Sequence, residues 1–413
     1  MDWREGDRDM RASTERKMKR WQEQRWILDQ VIKVSGLDFD QGRSHKMLRN
    51  CGPGIAGELR GIGQRVQKFT DFPREFSRAA HGREQRGRAA EALGHTVEAR
   101  EHYYVAATYY TAAQWGIFED GNPKRMAWAE SKRDCYDRYI GFADHPIERV
   151  DLPVPGGKMA ALLHLPHKPA PGERFPCILY QPGMDGVKED NPLMGDPLLQ
   201  RGLAILSIDG PGQGETRERG ITCTASNCED GARAAYAFLS TRPEIDGDRV
   251  AVYGSSMGSY WGTRMAAAVP ELKACAVVGV CMEPSQYTIF NTAAPTFKLN
   301  YMYMSGYDDE AEFDEFCKTL TLEGVAARIQ CPYMVVAGED DELCPIEFAY
   351  EVVDEATCPK VLYVYEGERH SLRNPAARTI VVDWLKDCLD GKPVASEKVY
   401  VEMSGKETRT PLS

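Results

Sequence analysis

At 413 residues the chain is long enough for one large domain or two ordinary ones, and 42% hydrophobic with 27% charged residues is the make-up of a soluble globular protein. Sixty-two acidic against 51 basic residues give a formal charge of -11, which argues against a nucleic-acid partner, because nucleic acid rewards a basic face. No run of about 18 apolar residues is available to cross a membrane, and the opening Met1-Asp2-Trp3-Arg4-Glu5-Gly6-Asp7 mixes charge signs without an apolar stretch, so neither signal peptide nor membrane span is expected and the expected location is the cytoplasm.

The first 144 residues read as helical. Between Arg83 and Tyr139 the one proline is Pro123, and Ala, Glu and Arg dominate. Ala99, Tyr103, Ala106, Tyr110 and Ala113 recur every three or four residues, which puts small and aromatic groups on one helix face. This stretch is similar to half of a tetratricopeptide repeat, but no second copy follows at a 34-residue offset. Gly52 to Gly63 is dense in glycine and is expected to be a loop. Tyr109, Tyr110 and Trp115 serve either ordinary helix packing or an aromatic pocket.

From residue 145 to 393 the texture changes. Short apolar runs at Ile147-Leu152, Ala160-Leu165, Cys177-Tyr180, Ala204-Ile208, Val250-Tyr253, Cys275-Val280, Tyr333-Ala337 and Val361-Tyr365 alternate with amphipathic segments such as Gly231-Ser240 and Ala376-Leu389. Strands separated by helices imply an α/β fold with a doubly wound, mostly parallel sheet. The first two strands lie close enough to form an antiparallel edge hairpin, turning at Pro155-Gly156-Gly157. About 283–331, rich in Tyr, Phe and Met, breaks the rhythm and is expected to be a lid-like insertion. Residues 394–413 form a polar tail without a motif. Twelve cysteines are scattered from Cys51 to Cys388 without a CxxC pair, as expected of reduced thiols used as small apolar groups rather than of a metal site.

The strongest chemical signal is Val250-Ala251-Val252-Tyr253-Gly254-Ser255-Ser256-Met257-Gly258, a strand followed by G-x-S-x-G and then a helix. The glycines permit a turn too sharp for side chains, and the middle serine, Ser256, is lifted above the sheet as a nucleophile. Its hydroxyl needs a base, and the base needs an acid to orient it, in the chain order Ser, Asp/Glu, His. His370, on the loop after the last apolar run, is the one histidine beyond position 167. In Gly338-Glu339-Asp340-Asp341-Glu342 the spacing favours Asp341, with Asp340 as the alternative, and the other acids read as a solvated loop. The developing oxyanion needs two backbone donors, one from Met257 and one from Pro182-Gly183-Met184-Asp185-Gly186, either Met184 or Asp185. Asp209-Gly210-Pro211-Gly212-Gln213-Gly214 lacks the spacing of a phosphate loop and reads as a tight structural turn. Glu283, just past the sixth strand, either touches substrate or faces water at a hinge.

These residues resemble the α/β-hydrolase superfamily across about 145–393. The helical start, together with Pro182-Gly183-Met184-Asp185-Gly186-Val187-Lys188-Glu189, is similar to the branch that holds 2,6-dihydroxypseudooxynicotine hydrolase and the fungal heptaketide-shortening pigment hydrolases. The branch pattern reads P-G-L-D-S, so Met184 and Gly186 depart from it. The resemblance implies a helical N-terminal cap domain, a dimer, no metal or organic cofactor, and hydrolysis of a C–C bond beside a ketone in a β-diketone or acylated aromatic polyketide. It also implies a substrate pocket that Asp185, Glu283, Tyr110 and Trp115 would line. A carboxylesterase or lactonase uses the same triad, an acyltransferase replaces water by an alcohol, and a non-catalytic docking protein would have lost triad positions.

Overall fold

The computed structural model describes residues 18–190, 192–374 and 376–413, and they divide into two compact units. One comprises the N-terminal part through Pro146 together with Glu189–Leu193 and Ala294–Phe313; the other comprises Ile147–Lys188, Met194–Ala293 and Asp314–Ser413.

The first unit is helical. Helices Asp71–Ala92, Thr96–Trp115 and Pro123–Gly141 divide the long proline-poor stretch, and the last starts where Asn122 accepts the backbone N–H groups of Lys124 and Arg125 at 3.1 and 3.2 Å, with Pro123 at the first helical position. On Thr96–Trp115 the Ala and Tyr positions expected on one face are buried, and so are most of their neighbours. The glycine-rich segment expected as a loop instead carries helix Ala56–Arg65. Leu59 and Ile62, three apart, are buried there, and that packing outweighs the poor propensity of its glycines. Helix Pro295–Ser305, from the middle of the expected lid insertion, belongs to this unit; every residue is buried, Thr296 donates to Asp40 and Lys298 pairs with Glu310. A helix buried on all sides must be surrounded, its polar Thr296 and Lys298 partnered, and nothing in its own sequence says by which neighbours.

The second unit is built on one ten-stranded sheet. Its strands are β1 Ile147–Val154, β2 Gly157–His164, β3 Phe175–Gln181, β4 Ala204–Ile208, β5 Ile245–Ser255, β6 Cys275–Val278, β7 Tyr333–Gly338, β8 Lys360–Tyr365, β9 Glu397–Val401 and β10 Glu407–Pro411. The spatial order is β1-β2-β4-β3-β5-β6-β7-β8-β9-β10. From β4 to β9 all neighbours are parallel; the β1–β2 and β9–β10 hairpins and the β2–β4 pair are antiparallel. β3, β4, β6, β7 and β8 are buried at every position, as strands covered on both faces must be. The polar tail is not structureless. β9 and β10 extend the sheet, although in them only Val399 and Val401 are buried and β10 is exposed throughout, so no apolar alternation announces them. All twelve cysteines are free, eleven of them buried.

The order places β4 on one side of β3 and β5 on the other, so crossovers leave β3 and β5 in opposite directions and a crevice opens at their carboxyl ends. One buried ionic knot fixes that end. Lys188 Nζ lies 3.0 Å from Asp209 Oδ2 and 2.9 Å from Glu215 Oε2, while the Lys188 N–H donates to Asp209 Oδ1 at 2.7 Å. Asp209 also accepts the Glu215 N–H. Burial disfavours the Glu215 carboxylate, but Lys188 and then Arg219 outweigh it and bring its pKa down to about 2.

Removing Lys188 takes the cation from the fully buried Asp209 carboxylate and leaves Glu215 to Arg219, so Lys188→Met is expected to destabilise the chain by about 3–5 kcal/mol in chemical denaturation; a loss below about 1 kcal/mol would place the pair among weak surface bridges. Because the folded pKa of Glu215 is depressed, its contribution is full above the ordinary 4.5 and is lost as pH falls toward 2. Glu215→Gln is expected to flatten the acid limb of a stability-versus-pH curve over that window.

Candidate functional site

At the end of β5 the chain turns through Ser256, a non-glycine residue at φ 56° and ψ -128°, into helix Met257–Ala268. Such a conformation costs roughly 1–3 kcal/mol and persists only where its surroundings enforce it. Here the Ser256 N–H donates to Val278 O at 2.9 Å, and its carbonyl accepts from Ser259 at 2.7 Å. Both flanking glycines are obligatory. A Cβ on Gly254 would fall 2.2 Å from Gly258 O, and one on Gly258 would fall 2.3 Å from Gln181 O.

Ser256 Oγ lies 2.8 Å from His370 Nε2, and His370 Nδ1 lies 2.9 and 3.2 Å from the Asp341 carboxylate oxygens. A carboxylate only accepts, so Nδ1 carries the proton and Nε2 faces the hydroxyl as an acceptor. The Asp341 and His370 side chains are 1% and 6% exposed. Burial alone would lower the imidazole pKa; the Asp341 charge and hydrogen bond outweigh it and hold it well above the usual 6.5. Asp341 is itself set by the Leu343 and Cys344 N–H groups at 2.9 and 3.0 Å. The alternative acid, Asp340, is exposed and uses its N–H to hold Glu368 O at 3.0 Å. Glu342, read with the other acids as part of a solvated loop, is exposed, and it also accepts the His370 N–H at 3.1 Å. Glycines admit the histidine loop: a Cβ on Gly279 would meet His370 O at 2.7 Å, and one on Gly338 would meet Glu368 O at 2.3 Å.

The loop after β3 packs directly on this turn. A Cβ on Gly183 would lie 2.8 Å from Ser256 Cβ and 3.3 Å from its Oγ. Gly183 to Gly186 form a tight turn closed by the Gly186 N–H on Gly183 O at 2.9 Å, with Met184 and Asp185 at its centre. Among the described residues neither the Met184 nor the Met257 N–H has a protein acceptor; Met257, in the first turn of its helix, has none to expect.

The remaining expected residues are engaged locally. Glu283 is buried, with Oε2 accepting the Thr288 N–H at 2.6 Å and Oε1 the Thr288 hydroxyl at 3.1 Å, so it caps a turn instead of facing water. Within the helical unit Tyr110 donates to Glu84 at 2.7 Å, Tyr109 to Glu58 at 3.1 Å, and Trp115 sits among Phe39, Phe69, Phe72 and Phe118 beneath the Arg43 guanidinium, 3.4 Å from its ring centre. Sequence reasoning missed Gln213, Lys188 and Asp209 as supports of the Gly183–Gly186 turn. The one signal was a single amide side chain in an otherwise Gly/Pro loop. Among the described residues no group of three or more His, Cys, Asp or Glu is placed to hold a metal ion, and no helix is long and apolar enough to cross a membrane.

Comparison with known proteins agrees with this architecture. The chain is 29% identical over 353 residues to 2,6-dihydropseudooxynicotine hydrolase of Paenarthrobacter nicotinovorans, covering 84% of this chain and 91% of that one. The solved structure of 2,6-dihydroxy-pseudo-oxynicotine hydrolase superposes with a TM-score of 0.73 at 26% identity, over 85% of this chain and 97% of that chain. Fungal relatives match over less. The 20-hydroxy-prefusarin hydrolase FUS2 of Gibberella moniliformis is 28% identical over 56% of either chain, so the match spans about half of that relative. The AbyA5 structure, at 17% identity and a TM-score of 0.65 over 84% of this chain and 93% of that one, shares the fold. The chain is thus an α/β-hydrolase and an enzyme of the hydrolase class. The family model described as esterase FrsA-like matches residues 74–310, more than half of the sequence, and the chain belongs to that family.

Proposed function

We propose that this hydrolase uses Ser256 as nucleophile, His370 as general base and Asp341 as the orienting acid to cleave a C–C bond beside a ketone, in a β-diketone or an acylated aromatic substrate. The observation that carries the reading is the unbroken hydrogen-bond chain from Ser256 Oγ through the imidazole to Asp341, on a strained turn at the carboxyl end of a central strand. The substrate class leans on the 29% identity to a hydrolase named for 2,6-dihydropseudooxynicotine.

In this reading the Ser256 oxygen bonds to the carbonyl carbon while its proton passes to His370 Nε2. The oxyanion is held by the N–H groups of Met257 and Met184. Collapse of the adduct breaks the C–C bond; its electron pair leaves as an enolate or phenolate carbanion and takes the proton from His370. An acyl group remains on Ser256. Water, deprotonated by His370, then releases it as a carboxylic acid and regenerates the serine. No metal or organic cofactor enters the sequence. A second reading, ester or lactone hydrolysis, is favoured by the esterase description of the family. It differs only in the leaving group, an alkoxide instead of a carbanion. In either reading the reaction would be cytoplasmic and the enzyme a dimer.

Wild type and Ser256→Ala are to be assayed on aryl 1,3-diketones and p-nitrophenyl esters, with products identified by mass. Carboxylic acid released from a diketone by wild type, with a fall of about 10⁶-fold in the variant, is the expected result. Turnover of esters alone would select the second reading, and equal rates for the two proteins would remove Ser256 from the chemistry. The pH profile offers a separate check. His370 must be neutral to act as base, and Asp341 raises its pKa, so kcat/KM is expected to climb with pH along a limb centred above 6.5. Asp341→Asn is expected to move that limb to lower pH and to cut kcat by roughly 10³–10⁴-fold; an unmoved limb would mean that another group titrates.

A further inference from the structure

We infer that Gln213, in the glycine-rich loop after β4, is a positioning residue that aims the Met184 N–H at the oxyanion. The inference rests on the serine-hydrolase reading above. Gln213 is 2% exposed, and its amide is fully engaged. Oε1 accepts from the Gly210 N–H at 3.1 Å and from Gln181 Nε2 at 2.6 Å; Nε2 donates to Gly183 O at 2.7 Å and to Gly186 O at 3.2 Å. Donors converge on one end and carbonyls on the other, so this amide has a single satisfied orientation.

The consequence lies in the peptide plane. Gly183 O and the Met184 N–H belong to the same trans peptide, in which C=O and N–H point in opposite directions and rotate together. Gly183 O is gripped from two sides, by Gln213 Nε2 and by the Gly186 N–H. Gripping the carbonyl fixes the direction of the amide hydrogen on the far side of the plane, and that N–H has no protein acceptor of its own among the described residues. The same peptide begins at Gly183, whose Cα packs on Ser256. Gln213 therefore touches no reacting atom, yet it sets one of the two donors against the nucleophile. Its own loop is anchored by Asp209, which accepts from the Lys188 and Glu215 backbones. Without the amide Gly183 O keeps only the Gly186 N–H and the plane gains room to tilt, and a donor misdirected by about 1 Å loses on the order of 10²-fold in rate.

The test uses Gln213→Met, which keeps length and removes both polar ends, together with trifluoroacetophenone, which bonds to the serine as an oxyanionic hemiketal. For Gln213→Met the expectation is a kcat lowered roughly 10–100-fold, KM within about threefold, and a trifluoroacetophenone inhibition constant raised by the same factor as kcat falls. Binding of unreactive acetophenone should stay at the wild-type value. Gln213→Glu guards against misfolding of the first variant. A protonated carboxyl can again donate to Gly183 O, so its activity relative to wild type at each pH is expected to rise as pH falls. Inhibition and kcat at wild-type values in Gln213→Met would overturn the inference alone. Equal weakening of acetophenone and trifluoroacetophenone binding would also overturn it, by reducing Gln213 to a general packing role. A wild type that forms no adduct with trifluoroacetophenone would overturn the serine reading together with this one.

Discussion

The second unit is organised around a place where no side chain fits. β5 ends against the carbonyl end of β3, and the helix that leaves it starts so close that the Gly258 and Gly254 positions have no room for a β-carbon. That crowding forces the reversal at Ser256 into a left-handed conformation which serine would not choose in isolation. The hydrogen bond from the Ser256 N–H to the last residue of β6 ties the reversal to the sheet. Three strand ends and a helix start are thereby held in one small volume, and the loops that leave those strands are brought to the serine without any long-range search. The histidine loop obeys the same logic, since it lies against Gly279 and Gly338 at the ends of β6 and β7.

This explains which parts of the molecule could be read from the sequence. The eight apolar runs correspond to β1–β8; β3, β4, β6, β7 and β8, buried at every position, have no alternative to continuous hydrophobic composition, whereas β1 shows through the alternation that buries only Val150 and Leu152. Ser256, Asp341 and His370 could be proposed because their order along the chain and their positions after strands are demanded by the turn itself. β9 and β10 were invisible because an edge hairpin with two buried side chains carries no period, only backbone pairing. Helix Ala56–Arg65 was hidden by its glycines, and the membership of Pro295–Ser305 by burial on every side, which leaves no amphipathic stripe to point to a neighbour. Gln213, Glu342 and Lys188 act on backbone atoms or buried carboxylates far away in sequence. A contact between a side chain and a distant carbonyl leaves no pattern in composition or spacing.

On the proposed reading the difference between C–C and ester cleavage falls on one step. Both begin with the same attack and the same oxyanion. An alkoxide leaves readily and needs a proton soon after; a carbanion leaves only as its charge delocalises into a neighbouring carbonyl or ring. Raising the imidazole pKa through Asp341 makes His370 a stronger base toward Ser256 but a weaker acid toward carbon, so proton delivery to the leaving carbon is the more demanding half of the C–C reaction. Selectivity would then reside in whatever surrounds the leaving group, which accords with relatives named for chemically diverse substrates on a shared scaffold.

The buried thiols carry a consequence of another kind. Eleven of the twelve cysteines are withdrawn from solvent, and burial raises Cys135, Cys331 and Cys388 to about 12, so the thiolate required by alkylating reagents is scarce while the fold is closed. They are distributed from the helix Pro123–Gly141 through β3 and β6 to the helix Ala376–Leu389. Each reacts only when its own neighbourhood opens. The chain thus contains a set of natural exchange probes: the order in which its cysteines become labelled is a map of which segments breathe and which open only with the whole.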